Sequence, residues 1–417
     1  MRIAIVGSGG AGLTAAWLLE QEHDVTLYEA DDRLGGHAHT IDVEARGQRF
    51  GVDAGFQFFG PGRTYATFTR LLEALHVPVR SYRATISLTR TRERTQVALP
   101  PFRAGRPVWP SLRPSAVCDL IRFQKFLRGI PPFLAQHDTT VTIEQYIERA
   151  GVSRSFADRF LYPLLLAFWC VEPAQFRRFA AYNALFYLGE ALTDGLRPPL
   201  QLEIEGGMRT YVDALAADLA SADVRVGAGV QSIAREGDEF LVRDAAGGRR
   251  AFDQVVLATG ARQALALVEP LPGMEPVARQ LRRFEYFDTR IAIHGDRSLM
   301  PPSESVWSIV NARWDGTHSH LSIWNPERGL PVFRSWVTFD ERMPQPLYAT
   351  ATYEHLAPTV EHFDAQRELK QLRGHGDVWL AGLYTDDADS HESAVRSAVT
   401  IAQRLAPDSP RLRKLMG

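Results

Sequence analysis

The sequence predicts an α/β protein in which a discontinuous Rossmann-like domain is joined to a second, α+β domain. Three observations carry this. A short apolar strand, "RIAIVG", runs directly into the glycine-rich turn "GSGGAG" and then into the helix-spaced segment "LTAAWLLEQE". A last strand and helix, "DVWLAGLYT" and "SHESAVRSAVTIAQRL", close the chain in the same style. Between them lie a helical region and a β-rich block that do not follow strand-helix alternation.

Taken in order, "DVTLYEA" is the second strand and completes a strand-helix-strand unit. "RATISLTRTRERTQVALP" alternates as a hairpin. Residues from about 105 to 200 have helical spacing, broken at Pro131-Pro132, Gly151 and Pro198-Pro199. Residues 224 to 258 return to strands with turns at Gly237 and Gly247-Gly248, and a second β-rich block covers about 285 to 355. The dinucleotide domain therefore comprises 1–75, 203–275 and 370–417, and the substrate domain 76–202 and 276–369.

Composition narrows the class. A chain of 417 residues that is 45% hydrophobic and 23% charged buries a large core. The longest apolar run, "LYPLLLAFWCV", is too short to span a bilayer, and "MRIAIVG" opens on a strand without a leader, so a cytoplasmic protein is expected. Cys118 and Cys170 lack disulfide or metal-ligand spacing, and no metal site is expected. Net charge is −2, yet residues 79 to 128 hold ten arginines and Lys125 against Glu93 and Asp119. Such a run is either a solvated face or an attractor for a carboxylate substrate or an anionic membrane surface, giving peripheral contact through 79–128. The proline breaks and the absence of RNA-binding motifs argue against nucleic acid.

Gly7, Gly9 and Gly12 form GxGxxG between strand and helix, with Gly10 and Ala11 opening the helix. Gly7 permits the turn, Gly9 admits a pyrophosphate to the backbone, and Gly12 allows close helix-strand packing. Glu29 ends the second strand seventeen residues after Gly12, followed by Ala30, where a carboxylate accepts hydrogen bonds from a ribose. NAD and FAD both fit this much.

The continuation "EADDRLGGHAHT", with "VDAGFQF" and the C-terminal return, resembles the flavin amine oxidase and desaturase superfamily, which includes monoamine oxidases, phytoene desaturases and protoporphyrinogen oxidases. The resemblance implies an FAD-binding domain and FAD as cofactor. Its Arg-x-Gly-Gly-Arg segment is matched at Arg33, Gly35 and Gly36, with His37 in the last position and able to donate an N–H to the pyrophosphate. The same resemblance carries Gly55, Phe56 and Gln57, the "EGGM" helix start, Val230 beside adenine, and Thr259 in "VVLATG" to the cofactor. Gly382 and the N-terminus of the last helix, near Ala394 and Val395, then flank the isoalloxazine.

"HAHT", "YEHLAP" and "SHESAVRSAV" resemble more closely an FAD-binding branch associated with cyclopropane-forming and fatty-acid-methylating enzymes. Ser390 and Ser393 depart from that branch's C-terminal motif, while His391 and Glu392 match it. The absence of lysine between Lys125 and Lys370 weakens an amine oxidase reading. The apolar stretches "FLYPLLLAFWC" and "FAAYNALFYLGEAL" are either helix core or the lining of a tunnel for a hydrophobic substrate. The expected reaction is dehydrogenation, that is desaturation, of a hydrophobic acyl-type substrate with an anionic head, by hydride transfer to flavin N5. Amine oxidation and non-catalytic FAD binding are the alternatives. His391 and Glu392 are the candidate proton acceptors, with Tyr384 beside them; the structural alternative has Glu392 stabilising a helix dipole and His391 orienting a loop.

Overall fold

A computed structural model of the chain describes residues 1–103, 105–191, 198–325 and 329–417. A five-stranded parallel sheet, in the spatial order Asp223–Arg225, Asp24–Tyr28, Arg2–Val6, Gln254–Leu257 and Val378–Leu380, gathers strands from distant parts of the chain. Helix Gly10–Leu19 is buried at every residue, which explains why it is apolar all round. Its end is fixed by Glu20, whose carboxylate accepts from the N–H groups of Ala220, Ser221 and Ala222 at 2.9–3.1 Å and from Arg411 at 2.6 Å. Burial pushes the Glu20 pKa up, but these donors outweigh it and hold the group below its ordinary value. Beside this sheet, Val230–Glu236, Glu239–Asp244 and Arg249–Phe252 form an antiparallel meander, turning at Gly237 and Gly247 with positive φ.

The second half is a seven-stranded mixed sheet in the order Leu347–Leu356, Tyr286–His294, Phe333–Trp336, Ser319–Trp324, Val310–Trp314, Ile86–Arg90 and Thr95–Leu99. The predicted hairpin forms its edge. Helices Pro114–Leu127, Ile143–Arg149, Tyr162–Trp169 and Ala181–Ala191 share one core with this sheet, in which Leu164 and Leu188 lie beside Ile86 and Leu88. Leu192, the last residue of the second apolar stretch, falls outside the described residues. Pro131 and Pro132 start a helix, Ile130–Ala135, because first-turn prolines sacrifice no internal hydrogen bond.

Strand Leu200–Ile204 pairs with both Phe58–Phe59 and Val79–Arg83, so the chain passes between its halves as paired strands. Hairpin Thr40–Ala45 and Gln48–Asp53 likewise packs Val43 and Val52 against Ile291 and Ile293 of the mixed sheet. Among the described residues no helix is long and apolar enough to cross a membrane.

Trp17 is 1% exposed, donates its indole N–H to Asp218 at 2.6 Å and carries Arg411 over its ring. Trp17→Ala is expected to cost about 3–5 kcal/mol, read as a lower midpoint of urea unfolding.

Candidate functional site

The C-terminal edges of the parallel strands open into one crevice, the place where such sheets take ligands. Gly7 has φ +97°, and a Cβ there would stand 2.7 Å from the Ala258 carbonyl oxygen. A Cβ on Gly12 would run into the Gly7 carbonyl, so the helix touches the strand backbone to backbone. The N–H groups of Ala11 and Gly12 have no hydrogen-bond partner among the described residues, and no acidic side chain occupies this first turn. Nothing lies within 4 Å of a Cβ built on Gly9. Free donors at a helix N-terminus form an anion cradle.

Glu29 stands at the adjacent strand end and accepts from the Ser8 N–H (2.9 Å), the Ser8 hydroxyl (2.5 Å) and the Asp31 N–H (2.9 Å). Ala30 packs on Gly229, immediately before Val230. Thr259 packs on Gly7, and Gly382, at φ +138°, donates its N–H to Ser397 Oγ at 2.9 Å.

Residues 33–57 cover the cradle. The Gly35 N–H donates to the Ser8 carbonyl at 3.0 Å, and a Cβ on Gly36 would stand 3.2 Å from Gly9 Cα. Arg33 donates to the Gly36 carbonyl at 3.0 Å, and the Phe56 N–H to the His37 carbonyl at 3.0 Å. From the mixed sheet, Arg334 reaches the carbonyls of Asp53 and Gly55 at 2.7 and 2.8 Å. Burial lowers its pKa to about 10, so it stays charged at neutral pH. Gln57 is buried, donates to Glu203 at 3.3 Å and has no partner for its Oε1 among the described residues.

His37 lies with its ring 5.0 Å from that of Tyr353 and 5.6 Å from that of His355. Its side chain has an exposed surface, yet desolvation pushes its pKa down. The two facts agree when the exposed surface faces an enclosed cleft rather than bulk water. The ring therefore looks toward the mixed sheet, and the crevice continues past it.

An adenine dinucleotide fits these features: cradle, acidic strand end and a cover that only glycine backbone permits.

The structure gives five of the expected site residues other surroundings. His391 lies on the first helix, where a Cβ at Gly10 would meet its Cε1 at 2.6 Å. It stacks on Phe56 at 4.7 Å, is met edge-on by Phe68, and shares a hydrogen bond with the Tyr211 hydroxyl at 2.9 Å. Desolvation pushes its pKa down to about 3, so it wedges the two helices apart as a neutral ring and is a poor proton acceptor. Glu392 is 4% exposed and gives both oxygens to the N–H groups of Thr67 and Phe68, at 2.9 and 2.8 Å. It caps helix Ala66–Ala74, a role that leaves no free lone pair aimed at the cleft. Tyr384 is 1% exposed, its ring packed on Phe284 within the core. Ala394 and Val395 also lie too deep: the Ala394 N–H is bonded to the Ser390 carbonyl, and the amides without a partner are those of His391 and Glu392.

Sequence reasoning missed Asp389. Its neighbours in "DDADSHES" are paired, Asp386 with Arg396 at 3.1 Å and Asp387 with His137 at 3.3 Å. The Asp389 carboxylate has no partner among the described residues. Its backbone is clamped on both sides by helix Ala181–Ala191: Asn183 Oδ1 accepts its N–H at 2.7 Å, and the Tyr187 hydroxyl donates to its carbonyl. Burial raises its pKa to about 7. The only sequence signal was a third acid in this loop.

The Gly10–His391 contact yields a test. Gly10→Ala is expected to weaken FAD binding at least about tenfold, and Gly10→Ala/His391→Ala to recover it, because the added methyl then has room. Flavin absorbance per chain and reconstitution of apoprotein read both.

Residues 11–345 match the family described as flavin containing amine oxidoreductase. A relative named "Putative flavin-containing monoamine oxidase AofH", from Mycobacterium tuberculosis, is 27% identical over 287 residues, 65% of this chain and 60% of that protein. The chain thus spans under two thirds of that relative. Among solved structures, a putrescine oxidase variant superposes with TM-score 0.72 at 15% identity, covering 98% of this chain and 100% of the other. A fatty acid isomerase from P. acnes that produces CLA superposes with TM-score 0.70 at 14% identity, covering 97% and 98%. At these identities the likeness concerns the fold. With the cradle, the cover and the family match together, this chain belongs to the flavin-containing amine oxidoreductase family, with FAD as its cofactor.

Proposed function

We propose that the chain is an FAD-dependent dehydrogenase that introduces a double bond into a hydrophobic, acyl-type substrate. FAD, when bound, supplies the hydride acceptor; the chain supplies binding, orientation and a proton acceptor. One observation carries the substrate class. An apolar cavity of about 550 Å³ is walled by Ile86, Phe123, Leu164 and Leu188, with Lys125 and Arg128 at its margin. Both apolar stretches singled out in the sequence contribute to it. Each methylene buried there contributes about 0.8 kcal/mol, and the two cations suit a carboxylate head.

Asp389 takes the proton. It stands one turn of chain before the last helix, and Tyr187, which holds its carbonyl, precedes Leu188 of the cavity wall. Cavity and carboxylate therefore flank a single helix. As a carboxylate it accepts the proton released from the carbon next to the one that loses hydride.

A second reading, amine oxidation, is favoured by the same carboxylate, which lacks a cation and would suit an ammonium. Anaerobic mixing separates them. Flavin bleaching by a long-chain fatty acid and not by aliphatic amines supports the first reading; bleaching by amines alone overturns it.

The pH dependence follows from the raised pKa of Asp389. Only the ionised form accepts a proton, so the rate of flavin reduction is expected to rise with pH through about 7, and Asp389→Asn to lose that limb. Folding responds in the opposite sense. Because the folded pKa exceeds the unfolded one, ionisation costs stability as pH rises from about 4 to about 7. Asp389→Asn should melt above the parent at about pH 8 and equal it below about pH 4, as read by calorimetry.

A further inference from the structure

Of the large hydrophobic side chains exposed among the described residues, the two most exposed belong to one short stretch: Trp109 at 74% and Ile121 at 65%, joined there by Phe102 at 48%. Phe102 sits in a two-residue strand paired with Arg106–Pro107, and the Val108 N–H returns to the Pro101 carbonyl at 2.9 Å. Trp109 follows at once, opening the turn Trp109–Leu112 that leads into helix Pro114–Leu127. The solvent face of that helix carries Cys118, Ile121, Arg122 and Lys125. Prolines at 100, 101, 107, 110 and 114 stiffen the platform, so presenting its apolar tips costs little entropy.

The charge around these tips has one sign. Arg106, Arg113, Arg122, Lys125 and Arg128 are exposed. The only acid between residues 100 and 130 is Asp119, which is 1% exposed and already held by Arg159. The strongly basic run seen in the sequence is thus sorted by the fold: Arg103 turns inward onto the Pro100 carbonyl and Ser308, Arg80 pairs with Glu203, and five cations ring the apolar tips.

We propose that this face docks on an anionic bilayer surface, with Phe102, Trp109 and Ile121 entering the interface and the five cations meeting lipid headgroups. Indole is the side chain best suited to that boundary, and each basic residue near it adds attraction that salt screens. A second copy of the chain is disfavoured on this face, because a two-fold contact sets the five cations against themselves. Ile121, Lys125 and Arg128 also border the apolar cavity, so its margin lies on the docking face. The docking stands on the exposed residues alone and is measured without substrate, independently of the acyl reading.

The test is sedimentation of the full-length flavoprotein with phosphatidylcholine vesicles, with and without phosphatidylserine. Binding is expected only with the anionic lipid and should weaken with added salt. Trp109→Ala/Ile121→Ala should lower the partition coefficient about tenfold or more while leaving the melting temperature unchanged. Arg113→Glu/Lys125→Glu should abolish binding. Cys118 is exposed and Cys170 buried, so alkylation by a water-soluble maleimide reports on this face, and anionic vesicles should slow it. Absence of binding to anionic vesicles at low salt overturns the proposal. So does binding that is indifferent to Trp109→Ala/Ile121→Ala with Cys118 unprotected, or a dimer in gel filtration that those substitutions dissolve.

Discussion

The contact between Gly12 and the Gly7 carbonyl sets the rest of the site. Because no side chain separates helix Gly10–Leu19 from strand Arg2–Val6, the helix axis points its free amides at the crevice instead of passing over it. The same closeness buries the helix on every face, and it must then be covered on both sides. The sheet covers one side; helix His391–Leu405 covers the other, packing residue on residue along it. That second contact brings a second set of unbonded amides, those of His391 and Glu392, to the same crevice from the opposite direction.

Polar groups that look catalytic in the sequence hold these elements in register. Glu392 secures helix Ala66–Ala74, Glu20 secures the C-terminal helix through Arg411, and Arg334 secures the loop at Asp53 and Gly55. Each is buried, and each is stable there because several donors or carbonyls satisfy it. Removing one partner of such a group leaves the other stranded, so their loss is structural before it is chemical.

This division explains what was legible in the sequence. Gly7, Gly12, Gly35 and Gly36 were readable because their constraint is local: a positive φ or a close approach inside one short segment. The hairpin at Ile86–Leu99 and the last helix were readable for the same reason, through alternation and helical apolar spacing. The roles of Glu392 and Asp389 were not. The partners of Glu392 lie 324 and 325 residues away in sequence, and those of Asp389 lie 202 and 206 away. No spacing in "DDADSHES" says which acid finds an arginine and which does not. The strand Leu200–Ile204 escaped notice because it pairs with segments from both halves, and pairing partners are not written in either strand.

The placement of charge also orients what enters. Lys125 and Arg128 stand at the margin of the apolar cavity, while Asp389 is an acid without a cation beyond the helix that walls it. An anionic head is drawn to the first pair and repelled by the second group, and in a low-dielectric interior that repulsion is barely screened. On the proposed acyl reading, such a substrate leaves its head at the cationic margin and extends its tail inward. The distance from the cationic margin would, on that reading, set which carbon meets Asp389 and so tie chain length to the position of reaction. Helix Ala181–Ala191 makes the link rigid, since Asn183 and Tyr187 fix the acid from one of its faces while Leu188 lines the cavity from the next.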